Sequence, residues 1–520
     1  MVRLIVVLVL GGVMAGVYSS APAQVYEFSK PNVPVNDDSL GRHQHFNLSQ
    51  GQHSVAASGD TFYAVWWDYR QPGNPNNADV YFARSTDCGR SFLPNIRVND
   101  NTDTTSLQQD PSLCLDKQGV IHVAWDDTRL GECRIFYTRS TDGGRSFLPN
   151  QCVNDTLGSR SMVSSNGRGI VCVAWWNGMN IFLSTSSDSG RTFGRRVVVN
   201  DVQAYNVDNA SLALDSIGRA YLAWPRYPTP HVYLSRSTNP GDTLFYPSVR
   251  VSDSVPRVWA AESPSLAVGK GGRVYVALLD KRNTGQDLHV YVARSTDGGA
   301  SFLPNVDVSD DTLQSGQRRP SIAADDSGNV YVVWEDYRNG RCIYFARSTD
   351  PADTMFSPNI LVNDTAGISG DRYGASLAVN ERGEAFVTWS DNRVSGGPYD
   401  IYSSRGVRQT SGIESGGKET PTLVDGVKCY PNPFFNRIQV SYSVHKAGLV
   451  RVKVYNLLGE EVKELESGQR GPGKYETAWK GVGAQGKEVK SGVYFIKLSF
   501  QESGESRRTS TLLRKAILTR

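Results

Sequence analysis

Short stretches in which apolar and polar residues alternate follow one another along most of the chain. Two of them, Val330 to Trp334 and Ile343 to Ala346, are rich in β-branched and aromatic residues and lie between turn residues, as β-strands joined by turns do. No segment before residue 420 has a sustained helical period. The pattern therefore predicts an all-β protein.

One octapeptide, typified by Ser-Thr-Asp-Gly-Gly-Arg-Ser-Phe, recurs before residue 360. Its Asp can accept hydrogen bonds from the backbone of a turn, and its Gly can adopt a positive φ that a Cβ disfavours. Each copy is therefore predicted to be a hairpin turn. Clear copies occur at residues 85–92, 140–147, 186–193 and 295–302, and degenerate copies at 237–245 and 348–356. The structural acids of these turns are Asp87, Asp142, Asp188, Asp297 and Asp350.

A second phrase, a strand that ends at an aromatic anchor, sets the length of the repeat. The anchors are separated by 59, 50, 49, 54, 56 and 55 residues, which gives seven units. Four short strands in a unit of about 50 residues are typical of a propeller blade, and a blade needs neighbours to bury its faces. We therefore predict a seven-bladed β-propeller. The anchors are Trp66, Trp125, Trp175, Trp224, Leu278, Trp334 and Trp389.

The last unit, residues 371–405, has three strands but neither the octapeptide nor a fourth strand. Residues 28–37 near the other end of the chain match residues 302–310, which follow a complete octapeptide. We therefore predict that this N-terminal strand completes the last blade and closes the ring.

A Trp-x-Asp-x-Arg phrase repeats where the second strand of a unit ends. It could form a charged ring that binds an anionic or sugar ligand. Alternatively, each Asp–Arg pair links loops or neighbouring blades, which the repetition favours, because buried charges are usually paired. The phrase occurs at Trp66/Asp68/Arg70, Trp125/Asp127/Arg129, Trp334/Asp336/Arg338 and Trp389/Asp391/Arg393, with a variant at Leu278/Asp280/Arg282.

A binding site is expected where the repeat is broken. The third unit carries Asn177 and Met179 in place of Asp and Arg, and the fourth has Pro225 and Arg226 after its Trp. Aromatic, Arg and Asp side chains at a concave mouth suit carbohydrate or peptide; the alternative is that they are solvated loop residues. The candidate ligand-binding residues are Asp68, Arg70, Asp127, Arg129, Trp176, Arg226, Tyr227, Arg257, Trp259, Arg319, Asp336, Arg338, Arg372 and Tyr373.

The charge of the chain is small but uneven. The formal net charge of +3 gives no indication of nucleic-acid binding. Residues 421–520 carry +8 and the rest of the chain −5, which supports a domain boundary near residue 420. Arg3, the apolar run from Leu4 to Val17 and the small residues at 21–23 form a signal-peptide pattern. We find no other segment that could span a membrane.

Cysteine, metal and cofactor patterns add little. The seven cysteines are odd in number and have no CxxC spacing, so Cys114 and Cys172 are interpreted as small buried apolar residues. No His/Cys cluster has the spacing of metal ligands. We expect no metal and no cofactor, and no Ser/His/Asp triad, P-loop or dinucleotide fingerprint is present.

The octapeptide resembles the Asp-box, or BNR, repeat of sialidases and related propellers over about residues 25–405, and we call its copies Asp-box turns. The resemblance implies six blades as the alternative fold. It also implies a clamp of three arginines, a Tyr nucleophile activated by Glu, and an Asp acid. The family's early Arg-Ile-Pro motif is absent, and no catalytic residue is identified.

Three functions therefore remain open. We expect a propeller that binds glycans or other extracellular ligands without catalysis, since fold alone does not give activity. The alternatives are an exo-acting glycosidase of sialidase type and a structural surface protein. We expect the chain to be a monomer.

The last part of the chain contains short alternating strands at roughly ten-residue spacing, as in an Ig-like sandwich. Its motifs at 430–434, 454–459 and 491–495 resemble the C-terminal sorting domain of type IX secretion cargo, with a generic Ig-like stalk as the alternative. The resemblance implies the type IX machinery as a partner and a secreted or outer-surface location. The predicted divisions are a signal peptide (1–23), a propeller (24–405), a linker (406–426) and an Ig-like domain (427–520).

Overall fold

A computed structural model of the chain describes residues 26–408 and 424–518 apart from short gaps. Within the described residues the chain divides into two compact units, Met1–Thr410 and Ser411–Arg520. The predicted signal peptide and most of the predicted linker lie outside the described residues. The gaps are 39–44, 47–53, 71–76, 203–209, 227–230, 242, 254–260, 283–286, 312–314, 349–353, 365–369, 394–398, 431–433, 457–459 and 504–508.

The first unit consists of antiparallel sheets that we number 1 to 7 by the order of their Trp or Leu anchors along the chain. Sheet 1 contains β3 (His45–Phe46), β4 (Val55–Ser58), β5 (Thr61–Asp68), β6 (Asp79–Ser85) and β7 (Ile96–Arg97). Sheet 2 contains β8 (Gln108–Leu115), β9 (Ile121–Asp127), β10 (Arg134–Ser140) and β11 (Gln151–Cys152). Sheet 3 contains β12 (Ser159–Ser165), β13 (Val171–Trp176), β14 (Ile181–Ser186) and β15 (Val197–Val198). Sheet 4 contains β16 (Ser211–Leu214), β17 (Ala220–Arg226), β18 (His231–Arg236) and β19 (Val249–Arg250).

The remaining sheets follow the same order of strands. Sheet 5 contains β20 (Ala261–Val268), β21 (Val274–Asp280), β22 (His289–Ser295) and β23 (Val306–Asp307), with a 3₁₀ turn at Lys270–Gly272. Sheet 6 contains β24 (Gln317–Ala324), β25 (Val330–Asp336), β26 (Cys342–Arg347) and β27 (Ile360–Leu361). Sheet 7 contains β28 (Arg372–Val379), β29 (Ala385–Asp391) and β30 (Asp400–Arg408), together with β1 (Tyr26–Phe28) and β2 (Val33–Pro34).

The sheets form a closed ring. Each sheet has an innermost strand that contacts the innermost strand of the next sheet, and β28 of sheet 7 contacts β4 of sheet 1. These strands, which surround the axis, are β4, β8, β12, β16, β20, β24 and β28. Seven clusters of buried apolar side chains each combine residues of two neighbouring sheets. The anchors of the repeat, Trp66 and its counterparts, are at most 1% exposed. The predicted β-propeller is therefore confirmed, with its core in the seams between sheets.

The N-terminal strands complete sheet 7, as predicted. Tyr26 of β1 pairs with Arg408 of β30, and Val33 of β2 pairs with Ser403 on the same strand. Phe28 is 4% exposed, and its ring centroid lies 5.0 Å from that of Phe345 in sheet 6. The beginning of the chain thus closes the sheet that its repeat array leaves incomplete.

Each Asp-box turn that the structure describes in full joins the third and fourth strands of a sheet. Asp142 accepts hydrogen bonds from the backbone N–H groups of Arg145 and Ser146 and from two hydroxyls. A Cβ on Gly144, where φ is 77°, would lie 2.6 Å from the ring of Phe82 in the preceding sheet. Gly is therefore needed for both conformation and packing. Asp350 lies outside the described residues.

The second unit is a two-sheet sandwich. One sheet contains β31 (Val424–Tyr430), β32 (Ile438–Val444) and β35 (Gly473–Trp479). The other contains β33 (Gly448–Tyr455), β34 (Glu461–Arg470), β36 (Gly492–Glu502) and β37 (Thr509–Leu518). Side chains of both sheets bury Trp479 to 1% exposure. The predicted Ig-like domain is therefore confirmed. In the described part of the chain, no helix has the length and apolar character needed to cross a membrane.

Removal of residues 26–37 is expected to lower the melting temperature of the first unit sharply, because sheet 7 loses its fourth strand. The milder change Phe28→Ala is expected to cost about 3–5 kcal/mol of unfolding free energy, as buried Phe truncations do. Leu130 is 60% exposed, so Leu130→Ala is the control and should change little. Thermal unfolding measures the deletion, and denaturant unfolding measures the two substitutions. An unchanged melting temperature for the deletion would contradict closure of the ring by the N-terminal strands.

Candidate functional site

Arg70 joins sheet 1 to sheet 7. Its guanidinium donates to Asp68 at 2.6 Å and to Asp37, which follows β2 of sheet 7, at 2.6 Å. It also donates to Asn95, which exchanges two backbone-to-side-chain hydrogen bonds with Asp37. The guanidinium lies 4.0 Å from the ring centroid of Tyr81. We call this arrangement of Arg, two acids, Asn and an aromatic ring the seam clamp.

The seam clamp recurs in four other sheets with the same geometry. Arg338, for example, donates to Asp336 of its own sheet, to Asp310 at the end of sheet 5, and to Asn359. The guanidinium–ring distances are 4.3 Å for Arg129 and Phe136, 4.2 Å for Arg282 and Tyr291, 4.6 Å for Arg338 and Tyr344, and 3.7 Å for Arg393 and Tyr402.

Sheets 3 and 4 replace the arginine of the phrase by an arginine at a different position. In sheet 3, Arg196 pairs with Asp155 at the end of sheet 2 and lies 5.4 Å from the ring of Phe182. In sheet 4, Arg226 occupies the position of the usual Asp and lies 4.9 Å from the ring of Tyr233. A guanidinium therefore covers the third-strand aromatic in each of the seven sheets.

These contacts favour the structural interpretation of the Trp-x-Asp-x-Arg phrase. Asp68, Asp127 and Asp336 are 0% exposed and accept hydrogen bonds from the indole N–H of the preceding Trp. The arginines are held at the same time by acids of two sheets. Ligand binding by Asp68, Arg70, Asp127, Arg129, Asp336 and Arg338 remains a prediction, and these side chains already have partners within the ring.

Asn177 changes the surroundings of Trp175 in sheet 3. The Asn side chain accepts hydrogen bonds from Met179 and Asn180 instead of the indole. Among the described residues the indole Nε1 of Trp175 has no hydrogen-bond partner. The backbone of Gly158 packs against it, since a Cβ there would lie 2.5 Å from Trp175 Cδ1. The short loop before sheet 3 thus packs closely against the indole of Trp175.

The innermost strands of five sheets share a second irregularity at the end where the second-to-third-strand loops lie. In sheets 2, 3, 5 and 6 this strand carries a β-bulge that contains a residue with a positive φ, namely Asp110 (47°), Arg160 (60°), Ser263 (51°) and Arg319 (46°). In sheet 7 the same position is Gly374 (66°). A left-handed conformation costs a non-Gly residue about 1–2 kcal/mol, and such strain concentrates at functional sites. We call this end of the ring, next to the axis, the mouth.

A basic cluster occupies the mouth at the seam of sheets 6 and 7. Glu335, at the end of β25, is 0% exposed. Its carboxylate accepts a hydrogen bond from Arg319 at 3.2 Å, from Arg341 at 2.9 Å, and from the backbone N–H of Gly374 at 2.8 Å. One buried carboxylate therefore orients two guanidinium groups and the bulge of the next sheet.

Tyrosine rings surround these arginines. The Arg341 guanidinium lies 5.0 Å from the ring of Tyr373 and 5.7 Å from that of Tyr337, and Arg318 lies 5.9 Å from Tyr337. Burial raises the pKa of Tyr373, although Arg341 and Arg319 oppose the shift. We call Arg318, Arg319, Glu335, Tyr337, Arg341 and Tyr373 the mouth cluster.

The mouth cluster contains only part of what the sequence predicted. Arg319 and Tyr373 belong to it, whereas Arg372 is 1% exposed and lies 3.5 Å from Asp391. Trp176 is partly exposed at the same end of sheet 3. Tyr227, Arg257 and Trp259 lie outside the described residues. Sequence reasoning missed Glu335, Tyr337 and Arg341; the signal was an extra acid beside the repeating Asp336.

An acidic counterpart lies at the seam of sheets 2 and 3. Asp126, at the same strand position as Glu335, accepts hydrogen bonds from the backbone N–H groups of Arg160 and Ser161. The Arg160 guanidinium donates to Asp110 at 3.0 Å. By its place in the ring, this acidic pair lies across the axis from the mouth cluster. No group of three or more possible metal-binding side chains occurs among the described residues.

The six cysteines whose side chains are described are all free thiols. Cys172 is 1% exposed, as predicted, and Cys114 is partly exposed. Burial raises the pKa of Cys172 to about 12. This thiol is therefore protonated near neutral pH and serves as an apolar side chain.

A known family model matches part of the second unit. Residues 437–504 match the family described as the FlgD Ig-like domain. No curated protein matches the chain.

Solved structures similar to the chain include a lyase, an arabinofuranosidase and a sialidase. An ulvan lyase, a polysaccharide lyase, is 13% identical, with a TM-score of 0.48, over 71% of this chain and 95% of its own. An α-L-arabinofuranosidase from Fusarium graminearum is 14% identical, with a TM-score of 0.45, over 72% and 97%. The Hadza microbial sialidase is 14% identical, with a TM-score of 0.39, over 56% of this chain and 63% of its own.

Replacing Arg338 by Met should distinguish the two roles of the seam clamp. The change keeps an unbranched side chain but leaves the buried carboxylate of Asp336 uncompensated, so we expect a loss of about 3 kcal/mol of unfolding free energy. Arg145→Met is the control, because Arg145 is exposed and its guanidinium donates to a backbone oxygen of its own turn. A variant with unchanged denaturation but altered ligand binding would contradict the structural role.

Proposed function

We propose that the chain is an exported propeller that binds an anionic carbohydrate at its mouth. The observation that carries this proposal is the mouth cluster, in which three arginines and two tyrosines gather around one buried carboxylate. Anionic sugars match it because guanidinium groups present paired donors to a carboxylate or sulfate. A concave site with aromatic walls and a few oriented polar groups is typical of small-ligand recognition.

The exposure of the cluster supports a binding role. The side chains of Arg319 and Arg341 are 25% and 18% exposed, and Tyr337 is 37% exposed. Arg341 donates to Glu335 through Nε and Nη2, and its guanidinium has five donors in all. Tyr337 offers a ring face beside them. The arginines are thus held in place before a ligand arrives, which lowers the entropy lost on binding.

The same residues also resemble in kind the set that a sialidase needs, but their hydrogen bonds favour binding over hydrolysis. A Tyr nucleophile needs a neighbouring carboxylate that can take its proton. Both oxygens of Glu335 already accept hydrogen bonds from arginines, and one also accepts the N–H of Gly374. Burial raises the pKa of Tyr373, which disfavours the phenolate. Hydrolysis of a fluorogenic sialoside by the protein would instead support the exo-acting glycosidase of sialidase type.

Arg341→Gln is expected to weaken binding of uronate- or sialate-bearing oligosaccharides by about 10- to 100-fold, the value of one or two charged hydrogen bonds. Affinity of the unchanged protein should fall as salt rises, because the attraction is electrostatic. A glycan array followed by titration calorimetry measures both effects. Arg145→Gln, at an exposed Asp-box turn, is the control.

Two outcomes would count against the proposal. Equal affinity for acidic oligosaccharides and their neutral counterparts would show that the arginines do not select charge. Equal weakening by Arg145→Gln and Arg341→Gln would place the ligand elsewhere. The absence of any bound glycan on the array would favour the structural surface protein.

For export, we propose that residues 1–23 are cleaved and that the Ig-like domain acts as a sorting signal of type IX kind, giving a secreted or surface-bound monomer. The support is the signal-peptide pattern and the motifs of the last strands. A reporter fused to residues 428–520 should reach the medium or cell surface of a type IX-competent host. The same fusion without residues 509–518, which form β37, should remain periplasmic. Periplasmic retention of both fusions would contradict the proposed sorting role of the Ig-like domain.

A further inference from the structure

Two neighbouring strands place two carboxyl groups in the seam of sheets 2 and 3. Asp110 is the bulge residue of β8, and Asp126 lies on β9 opposite Gln109. Asp126 is 7% exposed, and the Asp110 side chain is 15% exposed. Both acids face the bulge of β12 in sheet 3. The β12 strand therefore meets two acids at once.

The groups that could neutralise these acids are few. From β12, Arg160 donates its guanidinium to Asp110 and its backbone N–H to Asp126. On β9, the next residue after Asp126 is Asp127, which belongs to the seam clamp and accepts hydrogen bonds from Trp125 and Arg129. From the loop before β10, Cys133 is nearby, and burial raises the pKa of its thiol to about 12. The Arg160 guanidinium thus faces two acids, of which Asp126 is buried and Asp110 is half-buried.

We propose that Asp110 and Asp126 hold one proton between them at neutral pH, and that this proton keeps sheets 2 and 3 joined at the mouth. With it, the two acids and Arg160 form a neutral group that satisfies the bulge of β12. Without it, two carboxylates face one cation, and one of them, Asp126, is only 7% exposed, which is costly. This inference concerns a pH-sensitive seam and goes beyond the proposed carbohydrate site.

The directions of the pKa shifts of the two acids agree with this geometry. Burial, followed by the charge of Asp110, raises the pKa of Asp126 to about 8. Burial also raises the pKa of Asp110, with Arg160 opposing. An acid whose pKa is higher in the folded than in the unfolded chain stabilises the fold below its unfolded pKa, about 4. That contribution is lost as pH rises through its folded value.

The direct test detects the proton by infrared difference spectroscopy. The spectrum of the full chain minus that of Asp126→Asn should contain the carbonyl stretch of a protonated carboxyl at about pH 7, and this signal should vanish above about pH 9. In Asp110→Asn, the signal of the remaining acid should titrate at lower pH. A difference spectrum with only carboxylate bands at neutral pH would overturn the proposal.

Thermal unfolding supplies a second measurement with matched variants. Between about pH 5 and pH 9, the full chain should lose more stability than Asp126→Asn, since the Asn cannot ionise. Asp297→Asn is the control, because hydrogen bonds of the Asp-box turn bring the pKa of Asp297 to about 2 despite the opposing effect of burial. That variant should keep the full pH dependence. If Asp126→Asn keeps it too, the seam does not respond to this proton.

Discussion

The structure of the first unit depends on the seam between neighbouring sheets. A sheet in this ring has two apolar faces, and neither can be buried without a partner. Each of the seven apolar clusters accordingly takes side chains from two sheets. The chain must therefore return to its beginning, because a missing strand would expose the last seam. Pairing of β1 and β2 with β30 meets this requirement.

The seam clamp is the polar counterpart of this apolar packing. Its arginine lies over an aromatic ring of its own sheet and pairs, in most sheets, with an acid of the sheet before it. Sheets 3 and 4 recover the same arrangement from Arg196 and Arg226, which occupy other positions in the chain. What repeats is thus the placement of a cation over a ring, and this placement tolerates changes in the residue that supplies it.

The fold could be predicted from the sequence because it depends on local sequence patterns. The Asp-box turns, the Trp anchors and the match between residues 28–37 and 302–310 each occupy a continuous stretch of chain. The mouth cluster is different in kind, since Glu335 meets Gly374 across 39 residues and a sheet boundary. The Asp–Arg phrases could be recognised in the sequence. The partners of Arg70 in other parts of the chain, Asp37 and Asn95, are known only once the order of the strands in space is known. A single sequence contains no signal for such contacts between sheets.

Glu335 and Asp126 show how one backbone position can serve two purposes. Both residues precede the Asp of the seam clamp, and both accept the N–H groups of a bulge in the next sheet. That task requires only a carboxylate oxygen, so the groups around it are free to differ. Beside Glu335 stand two arginines, which remain partly exposed. Beside Asp126 stand one acid and one arginine, and the surplus negative charge can be balanced by a proton. In the two proposals made for these seams, the charge of the neighbours, rather than the position itself, therefore decides whether a seam recognises anions or responds to pH.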